Sequence, residues 1–121
     1  MTTTTELRAI YEDIKTLMSQ GKAMDVFEKY YAEDVLMQEN DNPPTVGKAA
    51  NRARELDFFA KVTEFRGLQL KEVAYRDNLI ISEWFADYTH AEWGKVTHDQ
   101  ISVSRWKDGK IISDRYYYYA A

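Results

Sequence analysis

The run Ile111-Ile112-Ser113-Asp114-Arg115-Tyr116-Tyr117-Tyr118 places a carboxylate among isoleucines and tyrosines. Side chains alternate across a strand, so Ile112, Asp114, Tyr116 and Tyr118 share one face. A carboxylate there suits neither a dry core nor a solvated surface, and points to a concave, half-polar pocket. Buried from water, such a group holds its proton more tightly and can act as a general acid or base near neutral pH. The structural alternative is an ion pair with Arg105, Arg115 or a lysine. Glu39, which ends a short alternating segment before the polar loop Asn40 to Pro44, is a second proton-transfer candidate. Its alternative is a solvated carboxylate on a rim. His98 is the third, sharing a strand face with Gln100, Ser102 and Ser104. Trp84 and Tyr88 stand at even spacing on the strand before it, with Ser82 among them. A dry core does not accept so many hydroxyl and amide groups without partners. Glu39, Asp114 and His98 are therefore the catalytic candidates, and Trp84, Tyr88, Gln100, Ser102, Tyr116 and Tyr118 the ligand contacts. His90 and His98 with Asp114 or Glu39 could approach a metal, but no HxH or HxxxH spacing supports one, and no metal or other cofactor is expected.

The elements that must position these groups change character midway along the chain. Leu7, Ile10, Tyr11, Ile14, Leu17 and Met18 recur at helical spacing and predict a helix from Glu6 to Gln20, stopped by Gly21. The four leading threonines read as a frayed end or an N-cap. A second helix is expected from about Met24 to Tyr31, with Val26, Phe27, Tyr30 and Tyr31 as its apolar side, then a short strand from Val35 to Glu39. Gly47 opens a third helix reaching about Val62, with Ala49, Ala53, Leu56, Phe59 and Ala60 expected to face inward. From Glu64 the period becomes two: Phe65 to Tyr75, Leu79 to His90, Val96 to Trp106, and a last strand after Gly109. Asp108-Gly109 supplies the final hairpin turn, where positive φ is required. Helices first and an antiparallel meander second is an α+β pattern, a curved sheet wrapped round helices and leaving a conical cavity.

A length of 121 residues with 45% hydrophobic content fits one domain, 1–121, with a single core. The net charge of −4, with 16 basic residues scattered among 20 acidic ones, gives no track for a nucleic-acid backbone. There is no cysteine, so disulfides, thiolate catalysis and Cys-type zinc sites are excluded. Neither a signal-peptide run nor an 18-residue apolar stretch is present, and a cytoplasmic location with no membrane partner is expected.

Tyr31-Ala32-Glu33-Asp34-Val35 leading into a strand, Gly47 before a helix, and Trp106-Lys107-Asp108-Gly109-Lys110-Ile111 at the last hairpin carry a resemblance over nearly the whole chain. The pattern resembles the nuclear transport factor 2-like superfamily, and within it the SnoaL-like polyketide cyclase and ketosteroid isomerase group. The resemblance implies the cone fold but leaves chemistry open, since this fold hosts isomerases, cyclases, hydratases and non-catalytic binders. It puts Glu39 at the position of the isomerases' proton-shuttling carboxylate and Ser102 where they place a protonated aspartate. Ile14 stands where they carry a tyrosine, with Tyr11 one turn away. Loss of such oxyanion donors, each worth about 3–4 kcal/mol, disfavours steroid isomerisation. The cyclases' histidine-tryptophan pair after the glycine turn is here Asp114-Arg115.

Two functional classes follow. One is a cofactor-free acid–base enzyme, an isomerase, cyclase or hydratase for a hydrophobic carbonyl-bearing or cyclic compound. The other is a non-catalytic module that holds a small ligand or assembles with a protein. The opposite sheet face, with Ile81, Phe85, Ile101, Val103 and Tyr117, has apolar area to hide, and a homodimer through it is expected.

Overall fold

A computed structural model describes residues 1–119 of the chain. In order the elements are α1 (Thr4–Ser19), α2 (Ala23–Tyr30), β1 (Tyr31–Glu39), β2 (Thr45–Val46), α3 (Lys48–Lys61), β3 (Val62–Arg76), β4 (Leu79–His90), β5 (Gly94–Lys107) and β6 (Lys110–Tyr117). The strands form one curved, unclosed sheet in the order β2-β1-β6-β5-β4-β3. Neighbours are antiparallel except β1 and β6, which run parallel. With three helices against this sheet, the fold is the α+β cone expected from the change of period.

Helix α1 forms where the apolar spacing says it should, burying Leu7, Tyr11 and Ile14. Thr3 caps it reciprocally with Glu6, satisfying two backbone donors that the first turn leaves free. Its end is a Schellman closure: Gly21 takes φ +74°, and the Gly21 and Lys22 amides donate to Met18 and Leu17. Against α1 and α2 pack Val35 and Met37 of β1, Ile80 and Trp84 of β4, Trp106 of β5 and Ile111 of β6, making one core.

Three local expectations need correction. The leading threonines are not frayed: Thr2 is fully buried, its amide donates to Asn78 Oδ1 (2.7 Å), and its hydroxyl accepts from the Gly109 amide (3.0 Å). The two hairpin turns thus clamp the start of the chain. Tyr31 begins β1 instead of ending α2. Ile112 does not share the inward face with Asp114. Trp106 pairs with Ile111 but Arg105 with Ser113, so Ile112 is the extra residue of a bulge. The bulge lets both Ile111 and Asp114 face the interior, which strict alternation forbids.

The largest correction concerns α3. Leu56 is 51% exposed and Phe59 40%, and Ala49, Ala53 and Ala60 are exposed with them. The helix instead turns Asn51, Glu55 and Phe58 toward the sheet. Asn51 fixes that rotation, since its buried Nδ2 donates to the carbonyls of Val35 (3.3 Å), Thr45 (3.0 Å) and Gly47 (2.9 Å).

Candidate functional site

Asp114 lies inside the cone, 2% exposed, at the centre of a cluster of hydroxyl groups. Ser102 on the adjacent strand donates to its Oδ1 (2.7 Å), while Tyr31 (2.5 Å) and Tyr116 (2.7 Å) both donate to its Oδ2. The tyrosine oxygens are 3.3 Å from each other. Each donor has a structural reason to be there. Tyr116 follows Asp114 by two residues on one face, Ser102 pairs with Tyr116 across the β5–β6 ladder, and Tyr31 enters from the start of β1 beside β6.

Burial pushes the Asp114 carboxyl above the usual carboxylate range, and the hydroxyls of Tyr31, Ser102 and Tyr116 pull it partly back. No lysine, arginine or histidine bonds to it among the described residues. Arg105 is exposed, and Arg115 is turned to the Asn40 carbonyl and Asp41. The ion-pair alternative for Asp114 therefore has no partner among these residues. Tyr31 and Tyr116 are pushed well above the ordinary phenol value, first by burial and next by the Asp114 charge, so both remain neutral donors.

The carboxylate opens onto a partly open cavity of about 120 Å³, whose aromatic walls are Tyr11, Tyr31, Trp84, Trp106 and Tyr116. Gln100, Ser82, Ser102 and Ser104 also line it. Those serines are occupied: the indole of Trp84 donates to Ser82 Oγ (3.1 Å) and that of Trp106 to Ser104 Oγ (3.0 Å). Burial raises the Tyr11 hydroxyl to about 12.

Of the residues singled out in the sequence, Asp114, Ser102, Tyr116, Trp84 and Gln100 meet around this cavity. Glu39, His98, Tyr88 and Tyr118 do not line it, and form a second group of their own. Arg54 Nη2 sits 3.1 Å from Glu39 Oε2, with both side chains more than a third exposed. His98 stacks on Tyr118 with ring centroids 5.0 Å apart, and bonds to Gln100 at 3.3 Å. Tyr88 meets His98 edge-on. Burial, then the neighbouring Glu39, lifts the Tyr118 hydroxyl to about 12. His90 is buried elsewhere, stacked on Trp93 with its Nδ1 accepting from the Glu92 amide. Among the described residues, no group of three or more His, Cys, Asp or Glu is placed to hold a metal.

Tyr31, which lines the cavity, and Glu55, near enough to feel the Asp114 charge, were not among the sequence candidates. Tyr31 read as one more apolar position of α2. Glu55 stands between Ala53 and Leu56 in a helix read inside out. It projects from α3 close enough to Asp114 and Glu39 to feel their charges, and no hydrogen bond or ion pair holds it among the described residues. Burial raises its carboxyl to about 7, with Arg54 opposing and the Asp114 and Glu39 charges adding. Polar residues at Asn51 and Glu55, four apart and above a half-polar sheet face, were the signal available.

Comparison with known proteins gives this geometry its relatives. The fold matches a candidate SnoaL-like polyketide cyclase from Mesorhizobium loti, 27% identical over 93% of this chain and 98% of that one, with a TM-score of 0.83. It also matches a second candidate SnoaL-like polyketide cyclase, from Jannaschia sp. CCS1, at 13% identity, 89% and 83% coverage and TM-score 0.74. An NTF2-like protein of unknown function from Cytophaga hutchinsonii matches at 18% identity, 90% and 96% coverage and TM-score 0.67. No curated protein matches the sequence significantly. The sequence profile of the SnoaL-like domain matches residues 2–118, so the chain belongs to the SnoaL-like domain family of the NTF2-like fold.

Proposed function

We propose that the cone is a small-molecule site for cofactor-independent acid–base chemistry, of the isomerase, cyclase or hydratase kind, on a hydrophobic carbonyl-bearing or cyclic compound. The observation that supports it is Asp114, buried in a cluster of three hydroxyl groups and open on one side to an aromatic cavity. Glu55 is the free carboxyl beside it, and its tendency to titrate near neutrality suits it to accept and return a proton. Glu39 and His98 then act from the second group, where Glu39 is tied to Arg54. Compounds of steroid size are too large to be enclosed. The cavity of about 120 Å³ is well below the roughly 300–1,000 Å³ of drug-sized pockets, and closer to the ~150 Å³ that accepts benzene.

Proton exchange at the α-carbons of cyclohexanone in D2O, followed by NMR, tests the reading with a probe of fitting size. The protein should accelerate exchange, and Glu55→Gln and Asp114→Asn should each remove most of the acceleration while circular dichroism stays unchanged. Binding without exchange would favour the second reading, a non-catalytic ligand-binding module. That reading is supported by Glu39 and His98 standing apart from Asp114.

The outer sheet face, where Ile81, Ile101 and Tyr117 are each about 40% exposed, supports a homodimer. Light scattering should return twice the 14.2 kDa chain mass, and a clean monomer would remove the dimer.

A further inference from the structure

The inner cavity is electrostatically one-sided. Its lining carries one charged side chain, Asp114, and no lysine, arginine or histidine. A second carboxyl, Glu55 on α3, is near enough to feel the Asp114 charge, and the neighbouring Arg54 is paired with Glu39. Three hydroxyl donors converge on both Asp114 oxygens, an arrangement that suits the ionised carboxylate. A carboxylate accepts about four hydrogen bonds, so one position remains for a ligand. Around it stand the rings of Tyr11, Tyr31, Trp84, Trp106 and Tyr116. A desolvated anion with aromatic walls is the combination that recognises organic cations. The carboxylate supplies the counter-charge, and the negative faces of the rings take the alkyl groups around the nitrogen. A neutral ligand leaves the carboxylate to its three hydroxyl donors and an anion adds a like charge, so a cation gains the most from the site.

Resting on the reading of the cone as a small-molecule site, we infer that its ligand is a small organic cation, a protonated or quaternary amine, with its nitrogen held between Asp114 and the aromatic walls. The cavity of about 120 Å³ limits the enclosed part to roughly the bulk of benzene or a trimethylammonium group. The second group, Glu39 with Arg54, His98 and Tyr118, then meets whatever extends from the cationic end.

Choline and 3,3-dimethylbutan-1-ol have the same shape and differ by one atom, a charged nitrogen in place of carbon, so calorimetric titration with each isolates the charge. Choline should bind at least about tenfold more tightly than the alcohol at pH 7.5. Asp114→Asn should weaken choline and bring the two toward parity. The wild-type pair of titrations decides the matter even if that variant fails to fold. Equal or tighter binding of the alcohol would overturn the cation while leaving the cone a small-molecule site. Binding of neither would also overturn the inference, and the cyclohexanone experiment then decides separately whether the cone takes neutral compounds.

Discussion

Helices α1 and α3 are of similar length and both carry apolar residues at helical spacing, yet they face opposite ways. α1 buries Leu7, Tyr11 and Ile14 against the sheet, while α3 leaves Leu56 and Phe59 exposed and turns Asn51 and Glu55 inward. The difference lies in what each helix covers. α1 packs on the apolar core and gives Tyr11 and Ile14 to the cavity wall, so removal of apolar area from water decides its rotation. α3 runs beside β1, and Asn51, bonded to the carbonyls of Val35 and Thr45, holds its rotation. Apolar periodicity therefore orients a helix only where the surface opposite it is apolar. Where the facing groups are backbone carbonyls, as for Asn51, polar contacts take over.

The contrast can be broken by truncation. Leu7→Ala on α1 should cost about 3–4 kcal/mol in urea unfolding, the transfer loss plus a cavity. Asn51→Ala should cost about 2 kcal/mol, because it removes the buried side-chain bonds to the Val35 and Thr45 carbonyls, and a loss below 0.5 kcal/mol would show that Asn51 does not set the helix. Glu55 gives a smaller, pH-dependent effect. Its folded carboxyl titrates at about 7 against an ordinary 4.5, so between those values the folded state holds a proton that the unfolded chain has released. Its contribution is therefore favourable below about pH 4.5 and is lost as the pH rises through 7, a fall of about 1–2 kcal/mol after allowance for partial exposure. Asp114, also raised by burial, acts with the same sign. Unfolding at pH 5 and pH 8 should show Glu55→Gln flattening that slope relative to wild type. Leu56→Ala, on the outward stripe of α3, should change stability by less than about 0.5 kcal/mol. A core-sized loss there would mean that α3 packs through its apolar side after all.

These outcomes bear on how much could be read without coordinates. The strand faces were legible because alternation is rigid: His98, Gln100, Ser102 and Ser104 do share a side, and Asp114 does point inward. Ile112 was not, because a bulge inserts one residue and reverses the count, and no local composition announces it. The ends of the chain were harder still. Thr2 is buried by two turns far away in sequence, at Asn78 and Gly109, which periodicity does not sense. Within the site, Asp114, Ser102 and Tyr116 were visible as a polar set on an aromatic strand face. Glu39 and His98 were drawn to the same point by analogy and parity, but Glu39 pairs with Arg54, His98 stacks on Tyr118, and neither lines the cavity. Glu55 was hidden by the assumption that separates α3 from α1, that the apolar side of a helix is its inner side.

Side-chain carboxyl titration tests most directly whether the cone holds a carboxyl poised to exchange protons near neutrality. In protein labelled with 13C at glutamate Cδ, one resonance, absent from Glu55→Gln, should titrate with a midpoint at about 7. A Glu55 midpoint at the ordinary value of 4.5 would mean a solvated side chain, and would remove the proton-exchanging site.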